Sequence, residues 1–584
     1  MFPKLKLHVI LLVAVLLASC APAATSSPAP ANTQPPVVTQ APAATQAPAA
    51  TQGAVATEAP AATQAPAATA APAATQGATA NAACQKVGGQ LVLFTSSDPK
   101  SLDPALLASY DQTITAPNFV EGLLRLSPDG TKIEPGIAKT FEVSADGLTW
   151  TFHLRDAKFH NGAPVTAEDF KYSFERVLNP ATKSPKAWML QKVVGASDFI
   201  AGKATEASGL QAVDDHTFKI VLSEASAPFK SMLASPNLAV VPKSEVLKWG
   251  DNFGQHLVAA GPFMLGTWNL NQDLTGAAFP AYWNGRPCLD SIKWRVIQDE
   301  NTRIVEYDAK QLDITWVPPA QWDRFNGDAT TKQLLNWAHT FHTEFWAVNM
   351  ERKPFGNNPL LRQAICHALD RTAVIDSLQQ RATAGASILS PGLLSFNDAA
   401  QPCTFDVAMA KDLMKQAGFA NGLPNPVDII LPPWNNEIKL NEIYQANLKE
   451  IGITINLKPT EFGAYLDLLN KGNYDIAWMY RVPDYADPDG FYFPLMASQN
   501  IDGGGNVARY NNPDVDKLVQ HARGSLDEAV RTKDYQAVEV AAAKDMPYIP
   551  LFHNIYVDIR QPYVMNYVPS PMDMHMYEYV WLNK

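Results

Sequence analysis

The first 83 residues of this 584-residue chain contain only three charged side chains, which are Lys4, Lys6 and Glu58. The rest of the chain carries nearly all of its 46 basic and 57 acidic residues. Residues 21–83 are almost entirely Ala, Pro, Thr, Gln, Ser and Gly. Because such a composition buries too little apolar surface to offset the entropy of ordering a chain, it predicts a disordered tether ahead of the folded part.

Residues 1–19 have the layout of a secretory signal, with a short basic start, an apolar run over 9–17 and then small residues. An apolar run of about nine residues is too short to span a bilayer. The segment ends in Leu-Ala-Ser-Cys, which resembles the bacterial lipobox. That resemblance implies lipidation of Cys20 and anchoring at the outer face of the cytoplasmic membrane, in the periplasm or at the cell surface. Ordinary signal cleavage at Ala18 or Ala24, with Cys20 incidental, is the alternative.

The part of the chain after the tether, about 500 residues, is too long for one compact core and suits two or three domains. The formal net charge of −11 disfavours nucleic acid as a partner. The sequence contains no HExxH, Gly-x-Ser-x-Gly, phosphate-loop or CxxC motif. It therefore predicts a protein that is not an enzyme and holds neither a metal nor a cofactor.

Two periodicities alternate along this part of the chain. Apolar residues that alternate with polar ones indicate strands with one buried face, and apolar residues three and four apart indicate helices. The predicted elements are strands at 148–154, 217–222, 427–431, 453–457 and 474–480, a helical segment between the strands at 427–431 and 453–457, and a helix at 360–369. The strand–helix–strand unit predicts a parallel pair with a right-handed crossover, so the expected class is α/β.

A series of short motifs follows in order along the folded part. It includes residues 101–104, 121–124, 134–155, 159–176, 261–263, 282–283, 311–313, 362–364, 369–371, 417–419 and 474–475. The series resembles the signature of family 5 extracellular solute-binding proteins, which serve peptide and nickel ABC importers. Residues 213–218 and 241–244 are most similar to the oligopeptide-binding branch.

The resemblance implies a two-lobed clamp of the periplasmic-binding-protein type (type II, cluster C). The first lobe is expected over 85–341, with an extra subdomain at 126–234 and a C-terminal return at 548–584. The second lobe is expected over 342–547, and residues 20–84 would form the lipid anchor and tether. Such a protein would be a monomeric, lipid-anchored component of an ABC importer that captures short peptides and delivers them to the permease.

The ligand site is expected beyond the end of the predicted strand at 474–480, because ligands of open α/β sheets bind outside the carboxyl ends of strands. The resemblance implies that Asp484 pairs with the α-ammonium group of a peptide. The other residues assigned to the ligand site are Arg481, Tyr480, Trp478, Phe462, Tyr485 and Tyr110. A solvated acidic turn is the alternative for Asp484, and Arg481 is either a partner for a ligand carboxylate or a surface residue. Trp478 stands where the oligopeptide branch has an Arg, which puts recognition of a peptide carboxyl terminus in doubt.

Other functions stay open at this point. The same scaffold could bind a nickel chelate, haem, an opine or a sugar, because the motifs cover the scaffold better than the pocket. A secreted hydrolase or adhesin displayed on the tether fits a lipid anchor equally well, but the absence of catalytic motifs and the ordered family motifs favour a binding protein.

Besides Cys20, the sequence has four cysteines, and these four allow three full pairings. They are Cys84, Cys288, Cys366 and Cys403. The pairing of Cys366 with Cys403 is favoured because both fall in the expected second lobe, and free buried thiols are the alternative.

Overall fold

The computed structural model describes residues 83–397 and 403–584. The predicted signal segment, the lipidation at Cys20 and nearly all of the tether lie outside the described residues. Within the described residues, no helix combines the length and the apolar character that a membrane crossing requires.

Strands and helices alternate along the described chain. The strands are β1 (Gln90–Thr95), β2 (Leu124–Leu126), β3 (Ile133–Pro135), β4 (Ala138–Val143), β5 (Thr149–Leu154), β6 (Leu210–Asp214), β7 (Thr217–Val221), β8 (Phe263–Asn269), β9 (Asp273–Ala278), β10 (Ser291–Val296), β11 (Ile314–Trp316), β12 (Leu335–Val348), β13 (Ala382–Ala384), β14 (Val427–Leu431), β15 (Ile455–Pro459), β16 (Ile476–Arg481), β17 (Tyr548–Arg560), β18 (Val564–Met565) and β19 (Trp581–Leu582). The helices are α1 (Tyr110–Thr115), α2 (Ala167–Leu178), α3 (Ala196–Ile200), α4 (Phe229–Met232), α5 (Lys243–Trp249), α6 (Glu300–Asp308), α7 (Trp322–Gly327), α8 (Ala329–Lys332), α9 (Pro359–Ala368), α10 (Arg371–Ser377), α11 (Val407–Gln416), α12 (Asn435–Glu450), α13 (Phe462–Lys471), α14 (Asp489–Met496), α15 (Pro513–Gly524) and α16 (Glu528–Asp545).

An antiparallel sheet in the order β4-β5-β7-β6 lies in the region expected to form a subdomain. On β5 the side chains of Trp150 and Phe152 are buried and their neighbours along the strand are half-buried, which confirms the predicted period of two. Helix α2 covers the sheet, and its Phe170 and Phe174 rings lie 6.0 and 5.7 Å from the ring of Phe218 on β7. The aromatic side chains therefore join helix and sheet in one core.

A second sheet has the order β1-β10-β9-β8, and side chains of the C-terminal segment share its hydrophobic core. The Asn118 side-chain amide donates to the carbonyl of His575 at 2.9 Å. The Arg125 guanidinium forms a buried ion pair with Glu578 and donates to the Tyr282 hydroxyl at 2.7 Å. Removing one partner of a buried ion pair would leave an uncompensated charge. This network therefore holds the C-terminal segment against the residues around Asn118 and Arg125.

The largest sheet has the order β11-β17-β12-β16-β14-β15, with β13 paired to β17. Its two longest strands, β12 and β17, run antiparallel and pair from Leu335 opposite Ile559 to Ala347 opposite Tyr548. The expected lobe boundary at 341/342 falls inside β12, and the boundary at 547/548 falls at the start of β17. These two strands thus lie where the expected lobes meet.

The predicted strand–helix–strand unit is β14-α12-β15, and its two strands are parallel, as expected. Strand β16 extends the same sheet, parallel to β14 and antiparallel to β12. The predicted helix at 360–369 is α9, and the Asn358 side chain caps it by accepting from the Leu361 N–H at 3.2 Å. The sequence therefore predicted the element that carries the expected site, since the loop with Asp484 follows β16 directly.

The four cysteines of the described chain form two disulfides. Cys366 is bonded to Cys403, the favoured pairing, and Cys84 is bonded to Cys288. The second bond ties the start of the described chain to the loop that precedes β10.

Candidate functional site

A cavity of about 720 Å³ lies among three stretches of the chain that are distant in sequence. Its lining comes from residues between 107 and 113, Lys186 and residues 235 and 237, all in the expected first lobe. The opposite lining comes from β12, β16 and α13, and residues 572–574 of the C-terminal segment complete it. A volume of this size suits a small-molecule or short-peptide ligand.

Six of the seven expected ligand residues line this cavity. They are Tyr110, Phe462, Trp478, Tyr480, Arg481 and Asp484. The seventh, Tyr485, is only 5% exposed and does not line it. The Tyr485 hydroxyl donates to the Asp489 carboxylate at 2.7 Å, and its ring packs with the buried core around β5. Because its ring is buried in this core, Tyr485 does not face the cavity. This corrects its assignment to the ligand site.

Four aromatic side chains form one wall of the cavity. The Trp434 ring stacks on Phe462, with ring centroids 5.8 Å apart and an angle of 25° between the planes. The same indole lies 5.8 Å from Trp478 and 6.1 Å from Tyr480. Trp434, Phe462 and Tyr480 each keep about 40% of their surface exposed. Exposed aromatic faces of this kind offer contact area to apolar parts of a ligand.

Asp484 is already engaged by two cationic side chains. Its carboxylate forms an ion pair with the Lys186 ammonium group, which belongs to the expected first lobe. The other carboxylate oxygen lies 3.3 Å from a guanidinium nitrogen of Arg481. Arg481 also donates from Nε to the carbonyl of Gly490 at 3.0 Å, which holds the guanidinium against its own loop. The Lys186–Asp484 pair therefore bridges two sides of the cavity, and neither cation is a free surface residue.

A pair of carboxyl groups faces the cavity on the aromatic side. Glu344 on β12 lies opposite Tyr480 in the strand register and accepts hydrogen bonds from Trp478 Nε1 at 3.2 Å and Asn554 Nδ2 at 2.9 Å. Burial, and then the charge of Glu437, raises the pKa of Glu344 well above its usual value. Burial likewise raises the pKa of Glu437. The two carboxyls consequently retain protons more strongly than they would in water.

Burial also shifts the pKa of two other titratable groups in the lining. Burial lowers the pKa of His342 to about 4, so its imidazole is uncharged at neutral pH. Burial, and then the charge of Asp558, raises the pKa of Asp573 well above the usual value. The ion pairs among the described lining residues are those of Asp484 with Lys186 and Arg481.

The polar and aromatic lining residues that sequence reasoning missed include Lys186, Glu344, Trp434, Glu437 and Asp573. Trp434 follows β14 after two prolines, so the rule that strand ends face the ligand could have found it. Lys186 and Asp573 lie on irregular segments that carry no periodic signal. Glu344 enters the cavity only through the pairing of β12 with β16, which no local pattern reveals.

Among the described residues, no three His, Cys, Asp or Glu side chains are grouped so that they could hold a metal ion. The cavity thus offers aromatic surface, one ionic cluster and carboxyl groups whose pKa burial raises. This arrangement on two joined α/β halves is typical of the class of proteins that bind a solute.

Comparison with known proteins places the chain within that class. The model of the bacterial extracellular solute-binding proteins, family 5 Middle, matches residues 132–503, and the chain belongs to this family. The periplasmic oligopeptide-binding protein OppA of Salmonella typhimurium is 30% identical over 502 residues, which cover 83% of this chain and 90% of that protein. The heme-binding protein A of Haemophilus influenzae is 29% identical over 503 residues, or 82% of this chain and 90% of that protein.

The structural comparison agrees. The periplasmic binding protein DppA from Helicobacter pylori, solved with the peptide STSA, superposes with a TM-score of 0.70 at 26% identity, covering 85% of this chain and 99% of that chain. The predicted family and the two-lobed α/β fold are confirmed. Since members of the family are binding proteins, this chain is a substrate-binding protein and not an enzyme, which removes the tethered hydrolase as an alternative.

Proposed function

We propose that this protein is the lipid-anchored, extracytoplasmic binding component of an ABC importer, which captures short peptides and delivers them to the permease. It acts as a monomer on a tether formed by residues 20–84. Residues 85–341 and 548–584 form one lobe, residues 342–547 form the other, and the cavity closes between them. Relatives described as oligopeptide-binding and a neighbour solved with a peptide support this assignment.

The observation that carries the proposal is the ion pair between Asp484 and Lys186 inside the cavity. The Lys186 side chain places an ammonium group against the Asp484 carboxylate, and a peptide carries the same group at its N-terminus. We propose that the α-ammonium of the peptide replaces Lys186 as the partner of Asp484. Because a charge-assisted hydrogen bond is about twice as strong as a neutral one, this exchange would orient the peptide. The aromatic wall would contact its side chains.

Acetylation of the peptide N-terminus tests this proposal. Trialanine is expected to bind at least about 30-fold more tightly than N-acetyl-trialanine in calorimetric titrations, because acetylation removes the charge that Asp484 recognises. N-methyl-trialanine keeps a charged amine and serves as the control, with affinity within about fivefold of trialanine. Equal affinity for the free and acetylated peptides would remove Asp484 from this role.

Membrane anchoring is tested separately. Cys20→Ala is expected to move the protein from the membrane fraction to the soluble fraction, since the proposed acyl chains supply about 0.8 kcal/mol per buried CH₂. Ser19→Ala, one position earlier, should leave the distribution unchanged. Persistence of Cys20→Ala in the membrane fraction would exclude a lipid anchor at this cysteine.

A non-peptide solute is the second candidate, and the heme-binding relative from Haemophilus influenzae favours haem over a nickel chelate, an opine or a sugar. The exposed aromatic wall is compatible with a flat ligand. Mass spectrometry of the ligand that co-purifies with the protein and is released by mild acid distinguishes the two candidates. A porphyrin mass would favour haem, whereas a set of short-peptide masses would favour the proposed function.

A further inference from the structure

A second chamber, of about 240 Å³, adjoins the main cavity. Tyr556 on β17 lines both spaces. Its ring lies 6.2 Å from that of Trp316, which lines the chamber, and the Trp316 ring lies 5.8 Å from that of Tyr110, which lines the main cavity. Three aromatic side chains thus form the partition between the two spaces. A ligand that passes this partition would extend from one space into the other.

The chamber contains a buried guanidinium with unused donors. Arg303 on α6 lines the chamber and is only 7% exposed. In the part of the chain that the structure describes, its Nε and Nη1 atoms have no hydrogen-bond partner, and the carboxylates of Glu300 and Asp299 act on its charge without bonding to these two atoms. A buried charged group without hydrogen bonds is unfavourable, so a ligand that accepts from these donors would be stabilised there.

The orientation of Arg303 suits a planar anion. Its guanidinium carbon lies 4.5 Å from the centroid of the Phe94 ring and 5.3 Å from that of Trp316. A guanidinium whose carbon lies over aromatic rings can still pair with a carboxylate through two parallel N–H···O hydrogen bonds. Burial lowers the pKa of Arg303, but a guanidinium remains charged at neutral pH.

A second arginine reinforces the positive charge. Arg381 lines the same chamber and donates from Nε to the Leu378 carbonyl at 3.2 Å and from Nη1 to the Val317 carbonyl at 3.1 Å. These backbone contacts fix the side chain. Among the described residues, the charged side chains of the lining are Arg303, Arg381 and the exposed Glu300. Outside the lining, the exposed Asp299 also acts on the charge of Arg303. The lining itself therefore carries two guanidinium groups and one carboxylate.

Among the described residues of the main cavity, none offers such a cation at the far end of a bound peptide. Arg481 is held by Asp484 and by the Gly490 carbonyl, and His342 is neutral. Lys186, once the peptide amine displaces it from Asp484, lies beside the N-terminus of the peptide. We propose that the chamber is a second subsite of the ligand cavity, in which Arg303 and Arg381 bind a carboxylate of the captured solute, namely the C-terminal carboxylate of a peptide. This inference rests on the proposed peptide-binding function. It adds that the protein recognises the C-terminal carboxylate of the peptide as well as its N-terminal ammonium group.

The experiment compares alanine peptides of three, four and five residues, each as the free acid and as the C-terminal amide, by calorimetry on the full-length protein. For the length that reaches the chamber, the acid is expected to bind at least about 30-fold more tightly than the amide. Arg303→Gln should reduce that ratio to about threefold or less, and Arg381→Gln should reduce it partly. Arg324→Gln is the matched control, since Arg324 is 49% exposed and pairs with Asp308 of α6 at 2.6 Å. Arg324→Gln should retain the full ratio, and Lys186→Met, measured alongside, tests Lys186 as the alternative partner of the carboxylate.

The wild-type comparison needs no variant, so it remains decisive if Arg303→Gln does not fold. Equal binding of acid and amide at all three lengths, or an unchanged ratio in folded Arg303→Gln, would overturn the subsite and leave peptide binding intact. A ratio lost in Lys186→Met and kept in Arg303→Gln would overturn the proposed subsite and assign the carboxylate to Lys186.

If no alanine peptide binds, the proposed function fails, and saturation-transfer NMR with benzoate then tests the chamber alone. Benzoate binding that Arg303→Gln abolishes would retain the carboxylate site, and absence of benzoate binding would reject it.

Discussion

Asp484→Asn is expected to weaken the binding of trialanine by at least about 100-fold, because truncating one partner of an enclosed, hydrogen-bonded charge pair costs about 2–5 kcal/mol. Asparagine keeps the size and the hydrogen-bonding oxygen of the side chain but removes its charge. The Asp484 side chain is 28% exposed, so solvent screens the pair only in part. Isothermal titration calorimetry measures the loss directly.

Asp467→Asn is the matched control for this variant. Asp467 lies on α13 and is 57% exposed in its pair with Lys471, so the same substitution there should change the affinity by less than about twofold. If Asp484→Asn binds trialanine as tightly as the Asp467→Asn control, Asp484 has no part in ligand recognition.

Lys186 provides an independent test of the exchange. Lys186→Met removes the internal ammonium group that competes for Asp484, and we expect trialanine to bind about three- to tenfold more tightly. Weaker binding in Lys186→Met would mean that Lys186 contacts the ligand, and the exchange of ammonium groups would then be wrong.

Local sequence patterns predicted much of the fold because they report on burial along single elements. The alternation over β5 and β7 and the unit β14-α12-β15 are confirmed, and each depends only on the spacing of apolar residues within a few turns or pleats. The antiparallel pairing of β12 with β17 joins residues more than 200 positions apart. No local periodicity encodes such a pairing, so the sheet that joins the two halves was not predicted from the pattern.

The candidate site shows the same division. Asp484, Arg481 and Tyr480 line the cavity, and they were predicted from their place at a strand end together with the family resemblance. Glu344 becomes a neighbour of Tyr480 only through the register of β12 and β16, and Lys186 reaches Asp484 across the cavity. Tyr485 was misassigned because a loop has no period that separates its buried face from its exposed one.

One buried carboxyl beside the cavity has a large expected effect on stability. Asp558 on β17 is 5% exposed and accepts a hydrogen bond from the Tyr567 hydroxyl at 2.5 Å. Burial raises the pKa of Asp558 from 3.8 to about 7, although the hydrogen bond from Tyr567 opposes the rise. Asp573 nearby has its pKa raised as well, by burial and then by the charge of Asp558. The folded protein therefore keeps a proton on Asp558 over a pH range in which the unfolded chain has lost it.

Between pH 3.8 and about 7 the folded state binds more protons at Asp558 than the unfolded state does. The contribution of Asp558 to the free energy of unfolding therefore falls as the pH rises through this window, by about 4 kcal/mol in all at about 1.36 kcal/mol per pH unit. Above the window this contribution is constant.

Asp558→Asn removes the ionisable group and keeps an oxygen that accepts from Tyr567. Its stability advantage over the wild type is expected to grow from pH 4 to pH 7 by up to about 4 kcal/mol and then to stay constant. Urea unfolding monitored by tryptophan fluorescence at pH 4, 5.5, 7 and 8 measures this difference. The exposed Asp323 on α7 supplies the control, since Asp323→Asn should show no such growth. An Asp558→Asn advantage that is the same at all four pH values would mean that Asp558 is already ionised in the folded protein.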